Sequence, residues 1–235
     1  MAATEFQCTV RSFRMLTPTV FEVTFDADKP FTFEAGQFVS IVIPGAGPKG
    51  RDLRRAYSIA SAPETSPVEL CVKLVEEGPG TNFLYKLRTG DQFRGFAPYG
   101  DFTFEAKPER RACFISTGTG IAPFRAMVYS NHFKNARPLD VTCLLGVRTE
   151  DELLYLDMAD VPGLKFVSTV SQPRESWTGF RGRVTDWFRS QNETYPWLET
   201  DYYLCGNGAM ITEMKEILTA RGVQKDSIYQ EIYYK

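Results

Sequence analysis

Up to about residue 104 the chain switches between apolar and polar positions in short runs. Cys8-Thr-Val-Arg-Ser-Phe, Val20-Phe-Glu-Val-Thr-Phe, Phe38-Val-Ser-Ile-Val-Ile, Tyr57-Ser-Ile-Ala and Val68-Glu-Leu-Cys-Val-Lys-Leu are β-branched or aromatic, with turn residues between them. Such runs read as strands, and about six of them at this spacing predict an antiparallel barrel or sandwich. Gly80-Thr-Asn-Phe-Leu-Tyr-Lys-Leu, stopped by Gly90, departs from the pattern and predicts a short helix with Thr81 or Asn82 near its start. The polar stretch Ala106-Lys-Pro-Glu-Arg-Arg then divides two different rhythms. A boundary there gives one domain over residues 1–107 and a second over residues 108–235.

Beyond the boundary, strand and helix alternate. Strands are expected at residues 112–116, 141–146, 164–170, 202–205 and 228–232. Helices are expected at residues 121–134, 150–160, 184–191 and 209–221, the last closed by Gly222. This is the pattern of βαβ units, an α/β doubly wound parallel sheet.

One stretch of the first domain carries chemistry. In an extended segment alternate side chains share a face, so Arg55, Tyr57, Ile59 and Ser61 point one way and Ser58 the other. A planar ligand with phosphates fits along it: Tyr57 stacks, Arg55 holds phosphate and Ser58 bonds the ligand's edge. These residues alone do not separate that reading from a half-buried strand with a surface arginine.

Composition narrows the chemistry. The 235 residues carry a net charge of -2, with 43% hydrophobic and 24% charged positions. That balance gives no whole-protein attraction for nucleic acid or an anionic membrane. No apolar run reaches membrane length and residues 1–10 do not read as a signal peptide, so a cytoplasmic protein without membrane insertion is expected. Cys8, Cys71, Cys113, Cys143 and Cys205 are scattered through apolar runs, as reduced buried thiols are. His132 is the single histidine, which argues against histidine acid–base chemistry and zinc; difficult chemistry would belong to a bound cofactor.

Two glycine-rich edges open the parallel sheet. Ser116-Thr-Gly-Thr-Gly-Ile-Ala-Pro123 follows one strand and begins a helix, where backbone N–H groups and the helix dipole receive a pyrophosphate. Pro123 stands where a third glycine would complete the usual dinucleotide fingerprint, and no lysine makes it a Walker loop. Cys205-Gly-Asn-Gly-Ala-Met210 repeats the arrangement at the last strand–helix junction. Cys205 by itself reads first as a buried packing thiol.

Arg55-x-Tyr57-Ser58, Leu70-Cys-Val-Lys73, Gly80-Thr-Asn-Phe-Leu84, Pro98-Tyr-Gly100, Gly118-Thr-Gly-Ile-Ala-Pro123 and Cys205-Gly-Asn-Gly208 occur in that order. Together they resemble the ferredoxin–NADP reductase superfamily, and most closely its ferredoxin/flavodoxin reductase branch, over residues 36–210. The resemblance implies a flavin-binding β-barrel followed by an NADP-binding α/β domain. It implies that Arg55 holds the flavin phosphates, that Tyr57 stacks on the isoalloxazine with Ile59 beside it, and that Ser58 approaches flavin N5. Cys71, Val72 and Lys73 would line the flavin. Gly78, Pro79, Gly80 and Thr81 would take its pyrophosphate, with the Thr81 hydroxyl donating. Thr117, Gly118, Thr119, Gly120 and Pro123 would take the nicotinamide pyrophosphate. Cys205, Gly206, Asn207 and Met210 would place the nicotinamide against the flavin. Tyr233 or Tyr234 would cover the flavin face, and Glu231 would carry a proton. Ser58, Tyr57, Cys205 and Glu231 are thus the expected catalytic set, with FAD and NADP(H) as cofactors and no metal.

Nucleotide choice rests on cations. An arginine near the end of the second parallel strand favours a ribose 2′-phosphate over a free hydroxyl. Arg148 ends that strand, and Ser171, Arg174, Arg181 and Arg183 follow the next. The expected activity is hydride transfer between NADP(H) and FAD, with single electrons exchanged with ferredoxin or flavodoxin by a monomeric enzyme. Lys49, Arg51, Arg54, Arg88 and Arg94 are candidates to meet an acidic partner. Two other readings stand beside it: an NADH-dependent reductase component of an oxygenase or cytochrome system, and a non-catalytic flavin- or nucleotide-binding subunit.

Overall fold

The computed structural model describes residues 3–234. The chain groups into two compact units. One runs through Phe104 and takes in Arg125–Asn131; the other comprises Glu105–Phe124 and His132 onward.

The first unit is an antiparallel sheet of β1 (Thr4–Thr17), β2 (Val20–Ala27), β3 (Phe38–Ile43), β4 (Leu53–Ser58), β5 (Val68–Lys73) and β6 (Gln92–Tyr99), with helix α1 (Pro79–Lys86). The order is β4-β3-β6-β1-β2-β5. Ile59, just past β4, pairs with Leu70 of β5 and brings the two edge strands together as a barrel requires. The alternating apolar positions fill its interior: Phe21, Val23, Phe25, Val39, Ile41 and Leu70 are fully enclosed. β6, which the pattern did not single out, carries Gly95 and Pro98 and so lacks a strand's usual composition. A side chain at Gly95 would press on the Phe6 ring at 3.0 Å.

The second unit is a sheet of β7 (Arg111–Thr117), β8 (Val141–Val147), β9 (Leu164–Val170), β10 (Phe180–Arg181), β11 (Thr200–Asn207) and β12 (Ile228–Tyr234). The order is β10-β9-β8-β7-β11-β12, all parallel. The chain moves outward from β7 and returns to β11 on its other side. The reversal between β7 and β11 is the switch point where doubly wound sheets bind ligands. The strands read as continuous apolar runs because helices cover both faces. Asp201 of β11 is 3% exposed and held by Lys107 at 3.2 Å and Arg110 at 2.8 Å, so the polar boundary stretch is bound into this unit.

Two expected helices differ. Residues 121–134 form a 3₁₀ turn (Gly118–Ile121), α2 (Ala122–Tyr129) and α3 (Asn131–Asn135). Ser130 divides them: its hydroxyl and its N–H both donate to the Met127 carbonyl, which ends α2. Residues 150–160 form two 3₁₀ turns, Glu150–Glu152 and Leu156–Asp160, with Tyr155 between them at φ 50°. The carboxylates at the start of this stretch are spent on neighbouring backbone: Glu152 accepts from the N–H of Arg148 and Thr149, and Glu150 from that of Arg174. Helices α4 (Val184–Arg189) and α5 (Gly208–Ala220) lie where the pattern put them.

Candidate active site

In the barrel unit, β4 and the start of α1 build one edge. Adjacent arginines divide here. Arg54 is committed to the fold: Nε donates to Ser40 Oγ at 2.9 Å, Nη2 donates to Tyr99 Oη at 2.8 Å, and its guanidinium lies over the Phe96 ring. Arg55 is exposed, and its Nη1 donates to the Arg54 carbonyl at 3.0 Å. Tyr57 is half-buried, and burial raises its hydroxyl to about 12 while Arg55 acts against the rise. Gly80 in the first turn of α1 sits directly on this pair. A Cβ there would lie 2.5 Å from Tyr57 Oη and 2.9 Å from Arg55 Cγ. Arg55, Tyr57 and the helix start therefore form one cradle. Ser58 and Ile59 are buried, as are Cys71 and Val72, whereas Lys73 is exposed.

The loop into α1 is locked from within. The Thr81 hydroxyl donates to the carbonyls of Val75 and Gly78 and accepts from Val75 N–H. Asn82 Nδ2 donates to the carbonyls of Val75, Glu76 and Gly78. The hydroxyl expected to donate to phosphate is thus spent on the loop. What the first turn offers is backbone: the N–H groups of Gly80 and Thr81, for which the helix has no acceptor, beside the Arg55 charge. Asn82 was missed because its work is to hold carbonyls rather than a ligand.

In the α/β unit the two glycine edges pack on each other. A Cβ on Gly120 would lie 2.4 Å from the Cys205 carbonyl oxygen and 2.9 Å from Gly206 Cα. One on Gly206, at φ 130°, would lie 2.4 Å from Thr117 Oγ1. Thr117 Oγ1 also accepts from Asn207 N–H at 3.0 Å. Gly118, at φ 52°, has open space around it. Asn207 caps α5, its Oδ1 accepting from Ala209 and Met210 N–H, and Met210 is buried in the core cluster. Pro123 is buried and Thr119 half-buried. Cys205 is fully buried and faces Glu231 across the β11–β12 register. Burial, and then the Glu231 charge, hold its thiol well above the ordinary range, while Tyr233 beside it acts in the opposite direction. The side chain of Tyr234 lies outside the described residues.

The expected 2′-phosphate cations separate. Arg174 is paired with Asp151, and Arg181 donates to the carbonyls of Arg174, Glu175 and Trp177, so both brace the loop after β9. Arg148 and Arg183 are exposed, and neither forms an ion pair among the described residues. Ser171 donates its N–H to the Val147 carbonyl, which sets it beside the end of β8. The basic surface also shrinks. Arg94 pairs with Glu5 and Asp52, Arg88 donates to the Tyr85 and Leu87 carbonyls, and Arg54 is the clamp described above, which leaves Lys49 and Arg51.

Residues 7–104 match the family model of an oxidoreductase FAD-binding domain, and residues 114–216 that of an oxidoreductase NAD-binding domain. Ferredoxin--NADP reductase B of Sorangium cellulosum (strain So ce56) is 32% identical over 244 residues, covering 98% of this chain and 98% of that protein. The chain belongs to the ferredoxin–NADP reductase superfamily. As a member it is a flavoenzyme, an oxidoreductase with an FAD-binding and an NAD-binding domain. The phenol hydroxylase P5 protein of Acinetobacter pittii (strain PHEA-2) is 28% identical, and this chain spans 64% of its length. Among solved structures, the Amycolatopsis cytochrome P450 reductase GcoB superposes with a TM-score of 0.87 at 25% identity, over 99% of this chain and 71% of that one. Within the superfamily's terms, the Gly80 cradle fits a phosphate-bearing flavin: a close backbone approach, a cation and a flat ring at one helix start.

Proposed function

We propose that this reductase transfers hydride between NADP(H) and FAD and exchanges single electrons with a separate carrier, ferredoxin or flavodoxin, as a cytoplasmic monomer. Bound FAD supplies the step between two-electron and one-electron chemistry. The chain's own residues do the rest. Arg55 and the α1 backbone N–H groups hold the flavin phosphates, Tyr57 covers the ring and Ser58 offers its hydroxyl at the reactive nitrogen. Cys71, Val72 and Lys73 line the flavin. The turn at Thr117–Gly120 receives the nucleotide pyrophosphate. Cys205 stays a neutral thiol and with Gly206 gives the nicotinamide an uncharged seat, while Glu231 is the proton carrier and Tyr233 the aromatic cover. Arg148 and Arg183, with Ser171, hold the 2′-phosphate. The observation that carries the reading is the Gly80 cradle with Arg55 and Tyr57 against it.

A second reading, an NADH-dependent reductase component of an oxygenase, draws on the phenol hydroxylase P5 protein. It would not require Arg148 and Arg183 to meet a phosphate. Anaerobic titration of the purified yellow protein with NADPH and then NADH separates the two. Bleaching by NADPH at concentrations where NADH is ineffective supports the proposal; equal or preferential bleaching by NADH rejects it in favour of the second reading, and no bleaching by either rejects both.

A further inference from the structure

The end of the flavin strand is fastened by a residue that the reading above does not use. β4 leaves its regular ladder at Ser58; Ile59 still donates its N–H to the Gln37 carbonyl at 3.1 Å and bridges Leu70. The next two residues are held individually. Ala60 donates its N–H to the Glu69 carbonyl at 2.8 Å, and Ser61 Oγ accepts from Glu69 N–H at 3.1 Å. The Ala60 carbonyl, on a residue with no exposed surface, receives Arg125 Nη1 at 2.9 Å. The same guanidinium pairs with the Glu69 carboxylate, at side-chain exposures of 16% and 25%. One cation therefore satisfies a buried carbonyl and neutralises the carboxylate on the strand opposite it.

Arg125 sits in α2 just past Pro123, yet it packs with the barrel. Two further attachments hold that stretch of helix there. Asn131 N–H donates to Glu64 at 3.1 Å, and Met127 Cε lies where a Cβ on Gly36 would fall, at 2.6 Å. A surface ion pair would add little. This one is largely enclosed and also takes up a carbonyl that has no solvent to turn to.

We infer that Arg125, acting with Glu69, is a positioning residue: it pins the strand at Ala60 and so fixes where the Tyr57 ring and the Ser58 hydroxyl lie. The inference rests on the flavin reading for its consequence, but the pin can be judged without flavin. The test compares the full-length protein with Arg125→Gln, Arg125→Lys and Glu69→Gln.

In Arg125→Gln, hydrogen exchange at the Ile59 and Ala60 amides should accelerate about tenfold or more, while β1 amides keep their rates. Flavin should remain bound, its visible circular dichroism altered. Its reduction by NADPH should slow about tenfold at an unchanged KM. Lysine, which keeps the charge but not the planar fork, should restore part of the rate. Glu69→Gln, which keeps the bond to Ala60, should move exchange less than Arg125→Gln. Unchanged exchange at Ile59 and Ala60, or uniformly faster exchange throughout the barrel, would overturn the pin. Local loosening with normal reduction kinetics would overturn its role in placing Ser58. A wild-type protein that takes up no flavin would overturn the flavin reading alone, since the exchange comparison is still made on the unloaded chain.

Discussion

The barrel and the α/β unit each carry a glycine at the start of a helix, and the two glycines are crowded by different materials. Gly80 faces side chains, the Tyr57 hydroxyl tip and the stem of Arg55 at Cγ. Gly120 faces main chain, the Cys205 carbonyl and Gly206 Cα. Side chains can move aside, whereas two packed backbones cannot. The barrel edge is therefore one whose side-chain groups can shift without unfolding it. The α/β edge is a joint, in which the two glycine turns and the core share the same backbone atoms.

Adding one methyl to each glycine is the most direct way to break that comparison. Gly120→Ala should have the largest effect, a loss of about 3 kcal/mol in urea unfolding followed by α/β-unit signals; a loss below about 1 kcal/mol would mean the two edges part easily. Gly80→Ala should cost less than about 1 kcal/mol but lower flavin retention about tenfold, because Tyr57 and Arg55 must give way. The flavin-to-protein ratio after gel filtration measures it, and an unchanged ratio would argue that the cradle holds no ligand.

Arg148→Ala and Arg183→Ala sharpen the comparison from the other side, removing side chains from the unit built of backbone. Together they should raise KM for NADPH about tenfold and leave KM for NADH within about twofold. Equal changes for both nucleotides would remove these arginines from the 2′-phosphate.

The smallest effect concerns pH. Burial raises the Cys113 thiol from 9.0 to about 12, and Cys143 moves in the same direction for the same reason. A raised folded value means the unfolded chain ionises first, so stability is intact below pH 9.0 and falls as pH climbs toward 12. At about pH 9.5 the loss should be about 0.8 kcal/mol per thiol. All five thiols are buried and burial raises Cys8 as well, but the α/β unit holds three, Cys113, Cys143 and Cys205, against Cys8 and Cys71 in the barrel, so its signals should weaken first. Simultaneous loss in both units would show that the thiols do not set the order.

Periodicity in the sequence was enough for the strands, because each unit writes its burial differently: alternation for a sheet with one wet face, continuous apolar runs for one covered on both. The glycine edges were legible because close backbone approach admits no other residue. What stayed hidden was how polar side chains are spent. Ser130 reads as an ordinary helix residue until its hydroxyl turns back on Met127. Arg54 and Arg55 are indistinguishable in composition, and only the position of Ser40, Phe96 and Tyr99 commits the first to the fold. Arg181 and Arg125 likewise look like surface charge in sequence. Partner choice is a three-dimensional fact, and single-sequence patterns carry almost none of it.

The segment Arg125–Asn131 also bears on how such proteins can be cut and recombined. A gene fragment ending at Phe104 would encode every strand of the barrel yet leave Glu69 without its cation and the space beside Gly36 without Met127. A chimera joined at that point would inherit its barrel from one parent and the clasp that fits it from another. The transferable module is therefore discontinuous in the gene, and an exchange that keeps strand and clasp from the same parent should be the one that folds.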